Sequence, residues 1–248
     1  MDLREGLVVA LDPAGGRVRR YVRTEHTCGY GVDFAGGALW VADGLPLNAL
    51  TRRDPRTGAT LATTPTIGGP QSGPCAVTAA AGSIWVGTSF GVYRVDTRHV
   101  RVAARIDAGE DTQSTLVAAG DRLWVGDDVA DGLRELDARS GRTLAIYRFG
   151  GGSVAIGAGR VWATGGRWAS TPAGRIPTLV EIDPRIERVV GRYRVGRRDP
   201  GFVGERTPQE VDWPFVVQRV LSGAGLADGS LWIHQNAERR LYRIDPRP

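Results

Sequence analysis

The sequence predicts an all-β chain: a β-propeller of four-stranded antiparallel blades, with five complete Trp-type blades plus a partial sixth. Three observations carry that expectation. A small or basic residue, an apolar residue and Trp recur at Gly37-Ala38-Leu39-Trp40, Gly82-Ser83-Ile84-Trp85, Arg122-Leu123-Trp124, Arg160-Val161-Trp162 and Gly229-Ser230-Leu231-Trp232, with Trp spacings of 45, 39, 38 and 70. An apolar strand ending in Asp recurs at Asp12, Asp54, Asp96, Asp137, Asp183 and Asp245, spaced 42, 42, 41, 46 and 62. No window shows sustained helical periodicity. Two independent markers sharing a period near forty residues describe one supersecondary unit repeated radially.

Each unit reads as four short strands. The first is small and apolar, as in Gly31-Val32-Asp33-Phe34-Ala35, because inner strands crowd around an axis. The second carries Trp and is nearly all apolar (Leu39-Trp40-Val41-Ala42), as a strand covered on both faces must be. The third ends in the Asp turn. There Asp54-Pro55-Arg56-Thr57-Gly58 supplies an acceptor for local N–H groups, a preset φ and a left-handed position. The fourth alternates Arg with apolar residues, as in Arg17-Val18-Arg19-Arg20-Tyr21-Val22-Arg23, a pattern that blocks edge-to-edge pairing.

The ends of the chain depart from the pattern. The N-terminus opens with a third-type strand (7–12) and a fourth-type strand (17–24), and the last unit stops after its third strand at Asp245. Residues 1–248 read as a single domain. Two readings remain, a six-bladed ring with one incomplete blade or a piece of a larger protein, and the second is preferred.

The formal charge is +5, and all 32 basic residues are Arg. They alternate along strands and do not cluster on a helix with aromatics between them, so nucleic acid is not the expected partner. No stretch reaches the ~18 apolar residues of a membrane span. Met1-Asp2-Leu3-Arg4-Glu5 shows no secretory leader, and the compartment stays open. Cys28 and Cys75 lie twelve and ten residues before Trp40 and Trp85. Related positions in adjacent blades allow a disulfide, with two buried thiols as the alternative; a bonded pair would favour an exported domain.

Blade geometry puts the loops between strands two and three on one rim with the loops between blades. Two of these, 163–178 and the insertion 196–222, are exceptionally long. In the insertion, Thr207-Pro208-Gln209-Glu210 has the pattern of a helix start. Ligand-binding candidates on this rim are Trp168, Trp213, Phe202, Phe215, Tyr30, Asp43, Asp127 and Gln235. The aromatics would either cover an axial cavity or simply pack the loops. Asp127, Asp128 and Asp131 supply oxygen ligands for a hard cation, though not at EF-hand spacing, and a solvated turn is the plainer reading. His99, within an Asp turn, is expected on the surface of the opposite rim.

The repeated Gly-x-Leu-Trp-Val and Ile-Asp-Pro-x-x-Gly patterns resemble the bacterial YVTN-type and streptogramin-lyase-like (virginiamycin B lyase-like) propeller repeat family over nearly the whole chain. The resemblance implies the fold and, as an alternative function, a lyase. In such a lyase a general base abstracts a proton α to a carbonyl while Mg2+ stabilises the enolate. His234, Glu238, His26 and Glu25 would have to supply that chemistry. The chain has no Glu-x-His pair, and its Trp strands run Trp-Val or Trp-Ala where the lyases tend to Trp-Phe-Thr-Glu. The expected function is therefore non-catalytic: a binding or sensor module taking a protein or small-molecule ligand at its loop-rich rim, with no cofactor.

Overall fold

The computed structural model describes residues 6–11, 17–24, 27–44, 46–69, 72–107, 115–127, 132–148, 154–157, 159–165, 178–194, 221–227, 230–235 and 240–244. All regular structure among them is β. Strands β1 (Gly6–Leu11) and β2 (Val18–Thr24) form a two-stranded ribbon. Four four-stranded antiparallel meanders follow in chain order. The first is β3 (Thr27–Ala35), β4 (Ala38–Asp43), β5 (Ala49–Arg53) and β6 (Thr60–Thr63). The second is β7 (Ala76–Ala80), β8 (Ser83–Thr88), β9 (Gly91–Asp96) and β10 (Arg101–Ile106). The third is β11 (Leu116–Ala119), β12 (Arg122–Asp127), β13 (Gly132–Asp137) and β14 (Thr143–Arg148). The fourth is β15 (Val154–Gly157), β16 (Arg160–Gly165), β17 (Thr178–Asp183) and β18 (Arg188–Arg194). The last sheet, β19 (Leu221–Ala227), β20 (Ser230–Gln235) and β21 (Arg240–Ile244), has three strands among the described residues.

These sheets are propeller blades. Packing groups the chain into two compact units, residues 1–125 with 135–144 and residues 126–134 with 145–248. In the first, the innermost strands β3, β7 and β11 pack in succession; in the second, β15 packs on β19. Close approach explains the small residues of the first strands. A Cβ at Gly31 would lie 2.3 Å from Ala42 Cβ and 2.6 Å from the Cys75 carbonyl oxygen.

The Trp strands hold the blades together. Trp40, Trp85, Trp124 and Trp162 are at most 3% exposed. Trp40, Ala42 and Leu50 pack with Val77, Ile84, Val86 and Val95 of the next blade. One blade further, Trp85 and Val92 pack with Leu116, Leu123, Val125 and Leu136. Trp40 and Trp85 thus each fill the wedge between their own sheet and its successor. Burial of about 200 Å² per ring is worth on the order of 5 kcal/mol of hydrophobic transfer.

The Asp turns lock onto the same wedges. In the four described turns the residue four beyond the Asp is left-handed: Gly58 (φ 77°), Val100 (49°), Gly141 (77°) and Glu187 (53°). In three of them its N–H donates to the carbonyl of the Asp, at 2.8 Å for Gly58, 2.9 Å for Val100 and 2.7 Å for Gly141. Val100 packs in the Trp40 cluster and Ala138 in the Trp85 cluster, so each of these turns seats on the preceding blade. Outer strands are half-exposed, with Arg101 and Arg105 pointing to solvent from β10.

Candidate functional site

In the first unit, hydrogen bonds gather the loops of one rim. Asn48, left-handed at φ 47°, donates its N–H to the Gly44 carbonyl at 2.7 Å and accepts the Ile67 N–H at 2.7 Å. Its Nδ2 donates to the Gly69 carbonyl at 3.2 Å. Farther along, the Ser89 N–H donates to Ser72 Oγ at 2.9 Å. The loop between the first and second Trp blades is therefore tied to the strand-two-to-three turns of both, as blade geometry requires.

At the tip of the β8–β9 turn stands Phe90, 53% exposed. Its backbone is held from both sides. The N–H donates to Thr88 Oγ1 at 3.1 Å, and the carbonyl accepts Arg105 Nη2 at 2.9 Å. Thr88 is fully buried and donates its own hydroxyl to the Gly91 carbonyl at 3.1 Å. Leu47, on the neighbouring turn, is also exposed. An apolar ring on a fixed backbone loses little entropy when a partner covers it.

Asp43, expected on the open rim, is fully buried. Thr51 Oγ1 donates to its Oδ2 at 2.5 Å, and Arg53 Nη2 lies 3.7 Å from the same oxygen. Arg53 also reaches Thr51 Oγ1 at 3.1 Å, the Arg23 carbonyl at 3.3 Å and the Gly58 carbonyl at 3.4 Å. The register explains the correction. Asp43 pairs with Ala49 and Val41 with Thr51, which puts Asp43, Thr51 and Arg53 on one face. Its role is internal: it is the counter-ion that lets Arg53 be buried beside β2.

The opposite rim carries the Asp turns. Asp54 Oδ1 accepts the N–H groups of Arg56 and Thr57 at 2.7 and 2.8 Å; Asp137 Oδ1 accepts those of Arg139 and Ser140 at 3.1 and 2.7 Å. These bonds favour the ionised form, so the carboxyl groups of Asp54, Asp137 and Asp183 titrate below their ordinary range. Asp96 is held lowest of the four. His99 Nδ1 sits 3.0 Å from its Oδ2, and the His99 and Arg98 N–H groups donate to Oδ1. His99 is exposed on this rim, as expected.

Two blades replace the Arg that lies two residues before the turn Asp. Arg52 and Arg94 hold that position in the first two Trp blades, Glu135 and Glu181 in the next two, and Arg243 in the last. Where Glu enters, the Trp strand begins with Arg. Arg122 Nη1 meets the buried Glu135 at 2.7 Å, and Arg160 Nε meets Glu181 at 3.1 Å. Tyr193 donates its hydroxyl to Glu181 Oε2 at 2.6 Å, which with partial burial raises the phenol above its ordinary value.

Cys75 is disulfide-bonded, and Cys28 is the only other cysteine in the chain. Tyr30 lies in β3, Asp127 ends β12, and His234 and Gln235 end β20, where they pair with Leu241 and Arg240. His26, Glu25, Asp128, Asp131, Trp168, Phe202, Trp213, Phe215, Glu238 and the helix start at Thr207 lie outside the described residues. Among the described residues no three His, Cys, Asp or Glu side chains gather as a metal would need. The rim residues that sequence reasoning missed are Phe90, Thr88, Ser72 and Arg105. The available signal was Thr88-Ser89-Phe90-Gly91, a two-residue turn that spends an aromatic on its tip.

No protein-family model matches the chain, and a search of curated proteins finds no match. Among solved structures it is similar to hydrazine synthase from Kuenenia stuttgartiensis, with a TM-score of 0.56 and 13% identity. The match covers 86% of this chain and 65% of that one, so the chain spans just under two thirds of its neighbour's length. At that identity the likeness establishes fold and nothing of chemistry. What blades, registers and likeness establish together is an all-β chain of propeller blades.

Proposed function

We propose that this chain is a non-catalytic binding or sensor module of the YVTN-type propeller kind, part of a larger protein, that takes a protein or small-molecule ligand at its loop-rich rim. One observation carries the reading: Phe90 is presented to solvent on a backbone pinned by Thr88 and Arg105. Exposed aromatics on rigid turns are the anchors from which binding surfaces draw most of their energy. The turn is tied to Ser72 of the neighbouring loop, so the anchor belongs to a surface shared by two blades.

The test is a thermal-shift screen of peptides and small molecules against the wild-type chain and Phe90→Ser. An exposed side chain can be exchanged within about 0.5 kcal/mol, so the variant should melt with the wild type. A ligand present at a hundred times its Kd stabilises the wild type by about 2.7 kcal/mol, and that gain should vanish in the variant. Ligands that shift both proteins equally would reject the surface. Mg2+-dependent opening of a streptogramin B ring by the wild-type chain, lost in His234→Ala, would replace this reading with the lyase.

A further inference from the structure

We propose that the Asp-turn rim of the first unit is a docking surface for the acidic phospholipid headgroups of a membrane. Five of the six turns read Asp-x-Arg: Asp54-Pro55-Arg56, Asp96-Thr97-Arg98, Asp137-Ala138-Arg139, Asp183-Pro184-Arg185 and Asp245-Pro246-Arg247. In the four described turns the carboxylate accepts the N–H of that same arginine, at 2.7, 2.7, 3.1 and 2.9 Å. The bond fixes the arginine backbone and engages one oxygen of the Asp. Each of these four turns therefore carries its arginine at the same backbone position.

Arg56 and Arg98 are exposed, and the Arg139 side chain is 71% exposed. Arg139 meets Asp121 at 3.1 Å in an open pair that a phosphate can exchange. The turns are rigid as well as repeated, because Val100 and Ala138 anchor two of them in the wedges of the preceding blades. A guanidinium takes a phosphate bidentately, and arginine is the only strong base this chain uses.

The layout favours a headgroup layer over a strand-like polyanion. A strand needs a continuous basic track with aromatics for stacking. These arginines stand on separate turn tips, one per blade, where a flat anionic layer meets them together.

The experiment is co-sedimentation of the full chain with vesicles of phosphatidylcholine alone or mixed with phosphatidylglycerol, at rising salt. Binding is expected only with phosphatidylglycerol and should fall as salt rises. Each arginine near the surface is worth about a fivefold change in partition, so Arg56→Ser/Arg98→Ser/Arg139→Ser should weaken binding about a hundredfold. A control, Arg20→Ser/Arg148→Ser/Arg192→Ser, removes the same charge from outer-strand positions outside the Asp-x-Arg turns and should retain most of the binding. Three outcomes would overturn the proposal: no preference for phosphatidylglycerol, equal losses in both triple variants, or equally tight binding to single-stranded DNA. The surface lies on the rim opposite Phe90, so either proposal can fail alone.

Discussion

Breaking the disulfide at Cys75 offers the sharpest test of how the first unit is held together. A bond between Cys28 and Cys75 closes a loop of 48 residues. The chain-entropy relation gives about 14 cal/mol/K for such a loop, or about 4 kcal/mol at 25 °C. Near 60 °C the unfolding entropy of a chain this long is about 0.5 kcal/mol/K, so cooperative melting would shift by about 8 °C. If the two units melt separately, the one holding the bond has about half that entropy, and its transition would fall by about 14 °C. The assay is calorimetry of the wild type with and without reductant, beside a Cys28→Ser/Cys75→Ser variant. Comparing oxidised with reduced wild type leaves the packing of the 4%-exposed Cys75 unaltered. The reasoning fails if the unreduced, denatured protein titrates two thiols, or if reductant leaves every transition in place.

Three further outcomes follow from the turns and the charge pairs. Glu187 is exposed and left-handed, so Glu187→Gly should raise stability by about 1 kcal/mol in urea unfolding, whereas Gly141→Ala should lower it. Gly141 is left-handed at φ 77°, so an alanine there is strained by its backbone alone, and its Cβ would also sit 2.5 Å from Ile106 Cδ1. Asp54, Asp96, Asp137 and Asp183 titrate below the ordinary 3.8 in the folded chain. Their contribution is complete above that value and lost as pH falls through the lower folded values, so acid unfolding should steepen below about pH 4 and be shallower in Asp96→Asn. Arg122→Met deprives the buried Glu135 of its cation and should cost about 3 kcal/mol, with Arg122→Met/Glu135→Met recovering most of it.

Blade architecture was legible because it rests on local rules. The repeated Trp strand announces burial on both faces, and Trp40, Trp85, Trp124 and Trp162 are all buried. The Asp turn announces its own hydrogen bonds, and Asp54 makes them with Arg56 and Thr57. The rim was less legible. Asp43 read as a rim acid because it lies in the segment joining strands two and three, yet only cross-strand register puts it against Thr51 and Arg53. Phe90 drew no expectation from the sequence, and nothing adjacent in sequence signals that Arg105 and Ser72 hold its turn.

The amino-acid order by itself determined the repeat, the strand types and the turn chemistry, since each depends on residues only a few positions apart. Tertiary packing decided which polar groups face water and which face one another. That choice is made by residues from different strands and blades meeting at one place: Arg53 under β2, Glu135 beside Arg122, Arg105 behind Phe90. Burying a charge costs several kcal/mol without a partner, so the placement of partners, and not the charge itself, separates an internal brace from a binding surface.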